Sequence, residues 1–289
     1  MRSSLSLSDV ARYAYAMPKG TLGNAAQARL LAAEVAKTKA RWRSASRVVL
    51  VHTMGKVGSM SIYKALRDAC REDVAIFHTH RLVPLDDPAA LIERKSLAPR
   101  KTWFTSAALF DLLKDEPKPT SVLTVVRDPL ERNISGFFQT IERYTDNGRP
   151  IVPGRHSETG PGLAAMFVER YPHNAITTWI DREIRTHFDI DLYDTPFDKD
   201  AGFSVARNAE TTVTAVRFDR LETVGPDLLS QVSDRPVSQL PRRNSSAKKH
   251  SGLLFEEMKA SLVLPREAEE ALYSSKYATH FGFTPGRAK

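Results

Sequence analysis

Val48-Val49-Leu50-Val51-His52-Thr53-Met54-Gly55-Lys56-Val57-Gly58-Ser59-Met60-Ser61 is the segment of the chain with the clearest structural pattern. Its first five residues form a β-branched, apolar run that predicts a short buried strand. Residues 59–71 have helical character, so the glycine-containing turn joins a strand to a helix. A loop of this kind directs backbone N–H groups and the positive end of the helix dipole toward an anion. The stretch therefore predicts an α/β unit with an anion site at its loop.

Further strands are expected after this segment, at residues 74–77, 122–126, 203–206 and 213–218. The run at 122–126 is apolar throughout, which is typical of a central parallel strand covered on both faces. Helix starts are predicted at Asp86-Asp87-Pro88 and at Arg127-Asp128-Pro129, where an acidic capping residue precedes proline. Apolar residues at helical spacing predict another helix over residues 172–188. The chain thus predicts an α/β fold with a central, mainly parallel sheet flanked by helices.

The chain divides into an extension and one domain. Residues 1–46 are basic and alanine-rich with helix-like spacing, notably over residues 5–17, and predict an N-terminal helical extension. We expect it to pack on the domain, with peripheral membrane attachment and dimerisation as the alternatives. Residues 47–289 form the α/β domain, with an insertion near 146–200 and a helical C-terminal region. The Gly- and Pro-rich stretch at 146–162 predicts a surface loop.

The amino-acid composition limits the classes of partner that we expect the protein to bind. Among 289 residues, 42 are basic and 34 acidic, and the net charge of +8 favours anionic partners. Aromatic residues interleaved with basic ones are sparse, so nucleic acid is not expected. The single cysteine, Cys70, excludes an internal disulfide framework and a Cys-based zinc site and suits a reducing cytoplasm. No stretch approaches the roughly 20 apolar residues of a membrane span, so we expect a cytoplasmic protein.

The loop at residues 55–61 differs from a Walker A motif, in which Gly-Lys-Ser/Thr stand in succession. Met60 occupies the place of the magnesium-binding hydroxyl, and Lys56 lies two residues before Gly58. Lys56 can place a cation where charge develops during bond breaking, and Ser59 and Ser61 can donate hydroxyls. By itself, the loop also fits an ordinary strand-to-helix turn with an exposed lysine.

A second element follows the strand at 122–126. Arg127 ends this strand, and Ser135 falls about two helical turns further along. Both side chains can therefore face one anion near the first loop.

The two elements resemble those of sulfotransferases that use 3′-phosphoadenosine-5′-phosphosulfate (PAPS). The chain is most similar to bacterial sulfotransferase-like proteins associated with capsular or other surface polysaccharides, which carry a similar His-Thr-Met-Gly-Lys-Val-Gly-Ser run. The resemblance implies a P-loop-type three-layer fold, no metal, and the product 3′-phosphoadenosine-5′-phosphate (PAP). It places the 3′-phosphate at Arg127 and Ser135, with Arg132 as a helper. It implies a 5′-phosphosulfate site at Gly55, Lys56, Val57, Gly58, Ser59, Met60 and Ser61.

Sulfuryl transfer to a hydroxyl needs a base for the departing proton. His78 and His80 follow the second predicted strand, whose carboxyl end should adjoin the first. A His-X-His here resembles some carbohydrate sulfotransferases that use histidine as base. We favour His80, with His78, Asp128 and Glu131 as alternatives, and expect His52 to support the loop. The resemblance implies a carbohydrate or glycolipid acceptor.

Two other functions stay open. A P-loop kinase would use the same broad architecture with ATP and Mg²⁺, since a fold does not settle the chemistry. A non-catalytic polyanion-binding protein would use the basic surface. The basic stretch at residues 242–250 could fold over the 3′-phosphate, bind an acidic acceptor, or form a solvated charge run.

Overall fold

A computed structural model describes residues 24–84, 101–141, 144–146, 149–150, 159–241 and 252–286. The strands are β1 (Arg47–His52), β2 (Val74–Thr79), β3 (Thr120–Val126), β4 (Thr145–Asp146), β5 (Arg149–Pro150), β6 (Phe203–Arg207) and β7 (Thr211–Arg217). Five of them form one sheet in the order β2-β1-β3-β7-β6. Its first four strands run parallel, and β6 joins β7 antiparallel. The short strands β4 and β5 form a separate antiparallel ribbon.

Nine helices of six residues or more lie in the described ranges. They are α1 (Asn24–Ser44), α2 (Ser59–Ala69), α3 (Lys101–Asp115), α4 (Pro129–Gln139), α5 (Gly160–Arg170), α6 (Leu221–Ser230), α7 (Gly252–Ser261), α8 (Arg266–Tyr273) and α9 (Lys276–Phe281). Between α5 and β6, a π-helical turn at Asp181–Arg185 runs directly into a short helix at Thr186–Phe188.

The core lies along β1 and β3. Five of the six residues of β1 and six of the seven residues of β3 are buried. This explains their continuous apolar sequences, because a central parallel strand is covered on both faces. A second buried cluster joins α4, α5 and α7 through Phe137, Phe167 and Met258. It fixes α4, the helix that follows Arg127.

Helix α1 packs on the domain. Trp42 is fully buried, and its Nε1 donates to the Glu116 backbone oxygen at 3.0 Å. Arg43 pairs with the Glu116 carboxylate at 2.6 Å. The apolar segment at residues 5–17 and the proposed helix start at Asp86-Asp87-Pro88 lie outside the described residues.

The α/β fold with a mainly parallel sheet flanked by helices is confirmed. Two boundaries are corrected. β2 stays paired with β1 as far as Thr79 opposite His52, so His78 lies inside the strand and does not follow it. The single helix expected over 172–188 is wrong, because a 3-10 turn at His173–Ala175 is followed by the π-helical turn. None of the helices in the described part of the chain has the length and apolar character needed to cross a bilayer.

Candidate functional site

The predicted site residues meet at the carboxyl edge of the sheet. The loop after β1 lies between the ends of β2 and β3, because β1 is flanked by these two strands. His78 and His80 stand at the end of β2, and Arg127 is the first residue after β3. Parallel α/β sheets bind ligands at this edge. The topology thus brings the loop, the histidines and Arg127 together.

The unusual torsions of the loop fall on Lys56 and Gly58, with φ of 73° and 77°. A side chain on Gly58 would also meet Phe218 at 3.2 Å. Gly55 has neither a positive φ nor a neighbour within 4 Å of an added Cβ. Of the two glycines in the loop, Gly58 alone therefore adopts an unusual torsion, and Lys56 adopts the other. Such a torsion costs about 1–3 kcal/mol in a non-glycine residue and is concentrated at functional sites.

The N-terminus of α2 has no side-chain cap, because its N-cap residue is Gly58. The Ser61 N–H donates to the Gly58 carbonyl at 3.0 Å. Val57 is fully buried and anchors the loop in the core, whereas Met60 is 39% exposed. The first N–H groups of a helix lack intrahelical partners, so this end of α2 can accept an anion.

Arg127 holds the loop. Its Nη1 donates to the Lys56 carbonyl at 2.9 Å, and its guanidinium lies 4.6 Å from the centre of the Phe218 ring. The Glu131 carboxylate is 3.5 Å away, and the side chain is 19% exposed. Burial lowers the pKa of Arg127. The Tyr277 hydroxyl accepts from the Arg127 N–H and donates to its C=O, both at 2.9 Å, which fixes the backbone that carries this cation.

Arg132 makes a second link to the loop. Its Nε donates to the Gly55 carbonyl at 3.3 Å, and its Nη1 donates to the Tyr171 hydroxyl at 3.1 Å. Ser135 is half-buried on α4. Among the described residues, its side chain makes no hydrogen bond to Arg127 or to the loop. Arg132 therefore contacts the loop directly, whereas Ser135 makes no such hydrogen bond among the described residues.

His80 is oriented by the backbone of the residue that follows β1. Its Nδ1 lies 2.6 Å from the Thr53 carbonyl oxygen. A carbonyl can only accept, so Nδ1 carries the proton and Nε2 is the basic nitrogen of the neutral ring. The rings of His78 and His80 lie 4.7 Å apart, edge to face. This is the tautomer that a general base needs.

His78 instead supports the loop. Its Nε2 lies 2.9 Å from the Ser59 hydroxyl at the start of α2. Burial, followed by the nearby His80 and His52, lowers the pKa of His78 to about 3. A neutral imidazole with so low a pKa is a weak base near neutral pH.

The two acidic candidates are already engaged. Asp128 caps α4 by accepting from the Glu131 N–H at 2.9 Å, and the Tyr273 hydroxyl donates to it at 3.0 Å. Burial raises the pKa of Asp128. Glu131 pairs with Arg127 and, at 2.9 Å, with Lys259 on α7. Both carboxylates thus organise the start of α4.

Two residues near the site, Phe218 and Glu183, were not predicted from the sequence. Phe218 carried no signal, because a single aromatic residue after a strand is ordinary. Glu183 did carry one. It stands four residues after Trp179 and three after Ile180, on the apolar face of the expected helix, where a carboxylate is out of place. The side chain is buried beside His52.

The described ranges contain no group of three or more His, Cys, Asp or Glu side chains able to hold a metal ion. The basic stretch at 242–250 lies outside the described residues.

Comparison with known proteins yields no family. No protein-family model and no curated protein matches the chain. A solved structure of glucose-6-phosphate isomerase from Chlamydia trachomatis matches at 20% identity over 50% of this chain, with a TM-score of 0.13. The match spans only 25% of the isomerase chain. A likeness this low has no bearing on fold or function.

Proposed function

We propose that the chain is a sulfotransferase that moves a sulfuryl group from PAPS to a hydroxyl acceptor. The observation that carries the proposal is the hydrogen bond from Arg127 Nη1 to the Lys56 carbonyl, which joins the two sulfotransferase-like motifs at one edge of the sheet. The P-loop-type architecture is part of this proposal, since the motifs resemble that superfamily.

The donor would lie along this edge. In the proposal, the uncapped N-terminus of α2 and Lys56 receive the 5′-phosphosulfate. Arg127 receives the 3′-phosphate, with Arg132 and Ser135 nearby. A largely buried arginine is suited to phosphate because its planar fork of donors matches phosphate oxygens.

The chemistry balances without a metal. The acceptor oxygen attacks sulfur, and the bond between sulfur and the bridging phosphate oxygen breaks. PAP departs with the electron pair of that bond, and Lys56 stabilises the charge that develops on it. The acceptor proton passes to His80 Nε2, the nitrogen without a proton in the neutral tautomer whose Nδ1–H donates to the Thr53 carbonyl. His78 holds Ser59 and takes no proton in this scheme.

The acceptor is proposed from the resemblance to be a carbohydrate or glycolipid hydroxyl. A cytoplasmic location, with attachment to the inner face of the membrane or homodimerisation through the N-terminal extension, belongs to the same proposal. The helix α1, at the end of this extension, packs on the domain through Trp42.

The test is thermal unfolding with PAP and with ADP, both in EDTA. A ligand at 100 times its Kd stabilises the native state by about 2.7 kcal/mol. We expect PAP to raise the melting temperature more than ADP, which lacks the 3′-phosphate. Arg127→Ala should remove the difference. Arg266→Ala is the matched control, because Arg266 is exposed on α8 and pairs only locally with Glu270.

Other outcomes separate the alternatives. Equal stabilisation by PAP and ADP would overturn the proposed 3′-phosphate site. Stabilisation by ATP only when Mg²⁺ is present would favour a kinase. Binding of PAP without transfer from ³⁵S-labelled PAPS to a hydroxylated glycan mixture would favour a non-catalytic protein.

A further inference from the structure

A buried carboxylate lies behind the candidate site. The Glu183 side chain is only 2% exposed and stands in the π-helical turn at Asp181–Arg185. Its Oε2 accepts from the Leu82 N–H at 2.9 Å, and its Oε1 accepts from Arg182 Nε at 3.2 Å. Arg81 Nε lies 3.6 Å from the same Oε1. Turns of this type are frequent at functional sites.

Two histidines complete the surroundings of Glu183. His52 Nε2 lies 3.4 Å from Oε2, and His187 Nε2 lies 3.9 Å from it. His52 is fully buried, and neither of its ring nitrogens makes a hydrogen bond within the described residues. His52 is the last residue of β1, directly before the loop that carries Lys56. Although burial opposes ionisation, the contact with His52 and the hydrogen bond from the Leu82 N–H keep the pKa of Glu183 below its usual value.

The segment that contains Glu183 also forms hydrogen bonds with the backbone at and near His80. Trp179 Nε1 donates to the His80 carbonyl at 3.2 Å. Two residues later, the Leu82 N–H donates to Glu183. Trp179 and Glu183 are four residues apart and therefore lie on one side of their segment. These two bonds hold the turn after β2 on both sides of Arg81, while the Thr53 carbonyl holds the His80 ring.

We infer that Glu183, together with Trp179, is a positioning residue that fixes the turn bearing His80. The inference rests on the proposed function, because only there does His80 have a chemical role. Packing alone does not explain a carboxylate at this position, since a buried ion costs several kcal/mol to desolvate and an apolar residue often serves stability as well. What the carboxylate adds is a directed acceptor for the Leu82 N–H and a contact with His52 Nε2 at 3.4 Å.

The test compares four variants with the full chain. Glu183→Ala removes the acceptor for Leu82, and Glu183→Gln keeps an acceptor oxygen without the charge. Trp179→Phe removes the hydrogen-bond donor to the His80 carbonyl but keeps an aromatic ring at this position. It therefore tests the inference if Glu183→Ala fails to fold. Asp181→Asn is the matched control, because Asp181 belongs to the same π-helical turn and is 43% exposed.

The first readout is the tautomer of His80 by ¹⁵N NMR of the imidazole, assigned with His80→Asn. Wild type and Asp181→Asn should show Nδ1–H, whereas Trp179→Phe and Glu183→Ala should show a mixture of tautomers. Glu183→Gln should restore much of the wild-type signal. An unchanged His80 signal in folded Trp179→Phe and Glu183→Ala would overturn the inference.

The second readout is steady-state kinetics with PAPS. We expect kcat to fall by up to about 10²-fold in Glu183→Ala, the loss that a displacement of about 1 Å can cause. The KM for PAPS and the Kd for PAP should stay within about twofold of the wild-type values. A twofold change is small beside a tenfold change, which corresponds to about 1.4 kcal/mol. Equal losses in kcat and PAP binding would contradict a positioning role. Failure of wild type to bind PAP would instead overturn the proposed function, and the tautomer measurement would still test the contact.

Discussion

Arg127 donates from Nη1 to the carbonyl oxygen of Lys56 over 2.9 Å, so the residue that follows β3 holds a lysine in the left-handed conformation after β1. The conformation of the loop therefore depends on contacts from both β1 and β3, which are far apart in sequence. Several measurable properties depend on this arrangement.

Gly58→Ala should destabilise the protein by about 1 kcal/mol or more, because an L-residue in the left-handed region costs roughly that much. The added Cβ would also press on Phe218. Gly55→Ala is the matched control, with no neighbour within 4 Å, and should change stability by no more than about 0.5 kcal/mol. Urea unfolding measures both. Equal losses in the two variants would contradict the loop torsions described.

Lys56→Gly should be more stable than Lys56→Ala while both lose turnover. Both variants remove the cation, but only glycine relieves the positive φ, worth about 1–2 kcal/mol. Glycine also loses about 0.5–1 kcal/mol more backbone entropy on folding, so the net difference should be on the order of 0.5 kcal/mol. Paired urea titrations and PAPS turnover assays check this. Greater stability of the alanine variant would argue against strain at Lys56.

Glu131 competes with a bound phosphate for Arg127, so Glu131→Gln should tighten PAP binding. Lys259→Ala should weaken it, because Lys259 otherwise shares the Glu131 carboxylate. Partly exposed ion pairs are worth about 0–1 kcal/mol, which corresponds to changes in Kd of up to about fivefold in opposite directions. Isothermal titration at low salt measures both, and raised salt should reduce the two effects. Changes of the same sign would refute the competition.

Stability should fall with acid in a way that depends on His78. Its pKa is about 3 in the folded protein and about 6.5 in an unfolded chain. Between these values the unfolded chain binds the extra proton, so the free energy of unfolding rises with pH. It should therefore decline below about pH 6.5, by as much as about 1.4 kcal/mol per unit from this group.

His78→Gln removes this titration and can still bond to Ser59. Its free energy of unfolding should fall less steeply than that of wild type between pH 6 and pH 4, whereas the two slopes should agree between pH 7 and pH 8. Urea unfolding across this range is the measurement. Parallel curves throughout would place the pKa of His78 near its ordinary value.

The fold and the site differed in how far the sequence predicted them. The buried runs at Val48–Val51 and 122–126 were readable because a central strand needs apolar side chains on both faces. The start of α4 was readable because Asp128 before Pro129 is a capping sequence. These signals are local. They also predicted that Arg127 and Lys56 lie at the same edge of the sheet.

The remainder depended on tertiary contacts. Nothing in a lysine predicts a left-handed torsion, which here is held by Arg127 from another strand. The end of β2 was misjudged because pairing with β1, rather than local preference, extends it through His78. Glu183 could have been noticed on its apolar face, yet its partners Leu82 and His52 are remote in sequence.

The π-helical turn at Asp181–Arg185 has one more consequence. It closes on the bond from the Thr186 N–H to the Asp181 carbonyl, five residues apart, so the segment carries one residue more than a regular helical turn. Deleting a single residue there would rotate the flanking side chains by about 100° relative to each other, the angle between successive residues of an α-helix. A deletion of Asp181 or Arg182, which lie between Trp179 and Glu183, would therefore turn one of these two side chains away from the backbone that both of them hold.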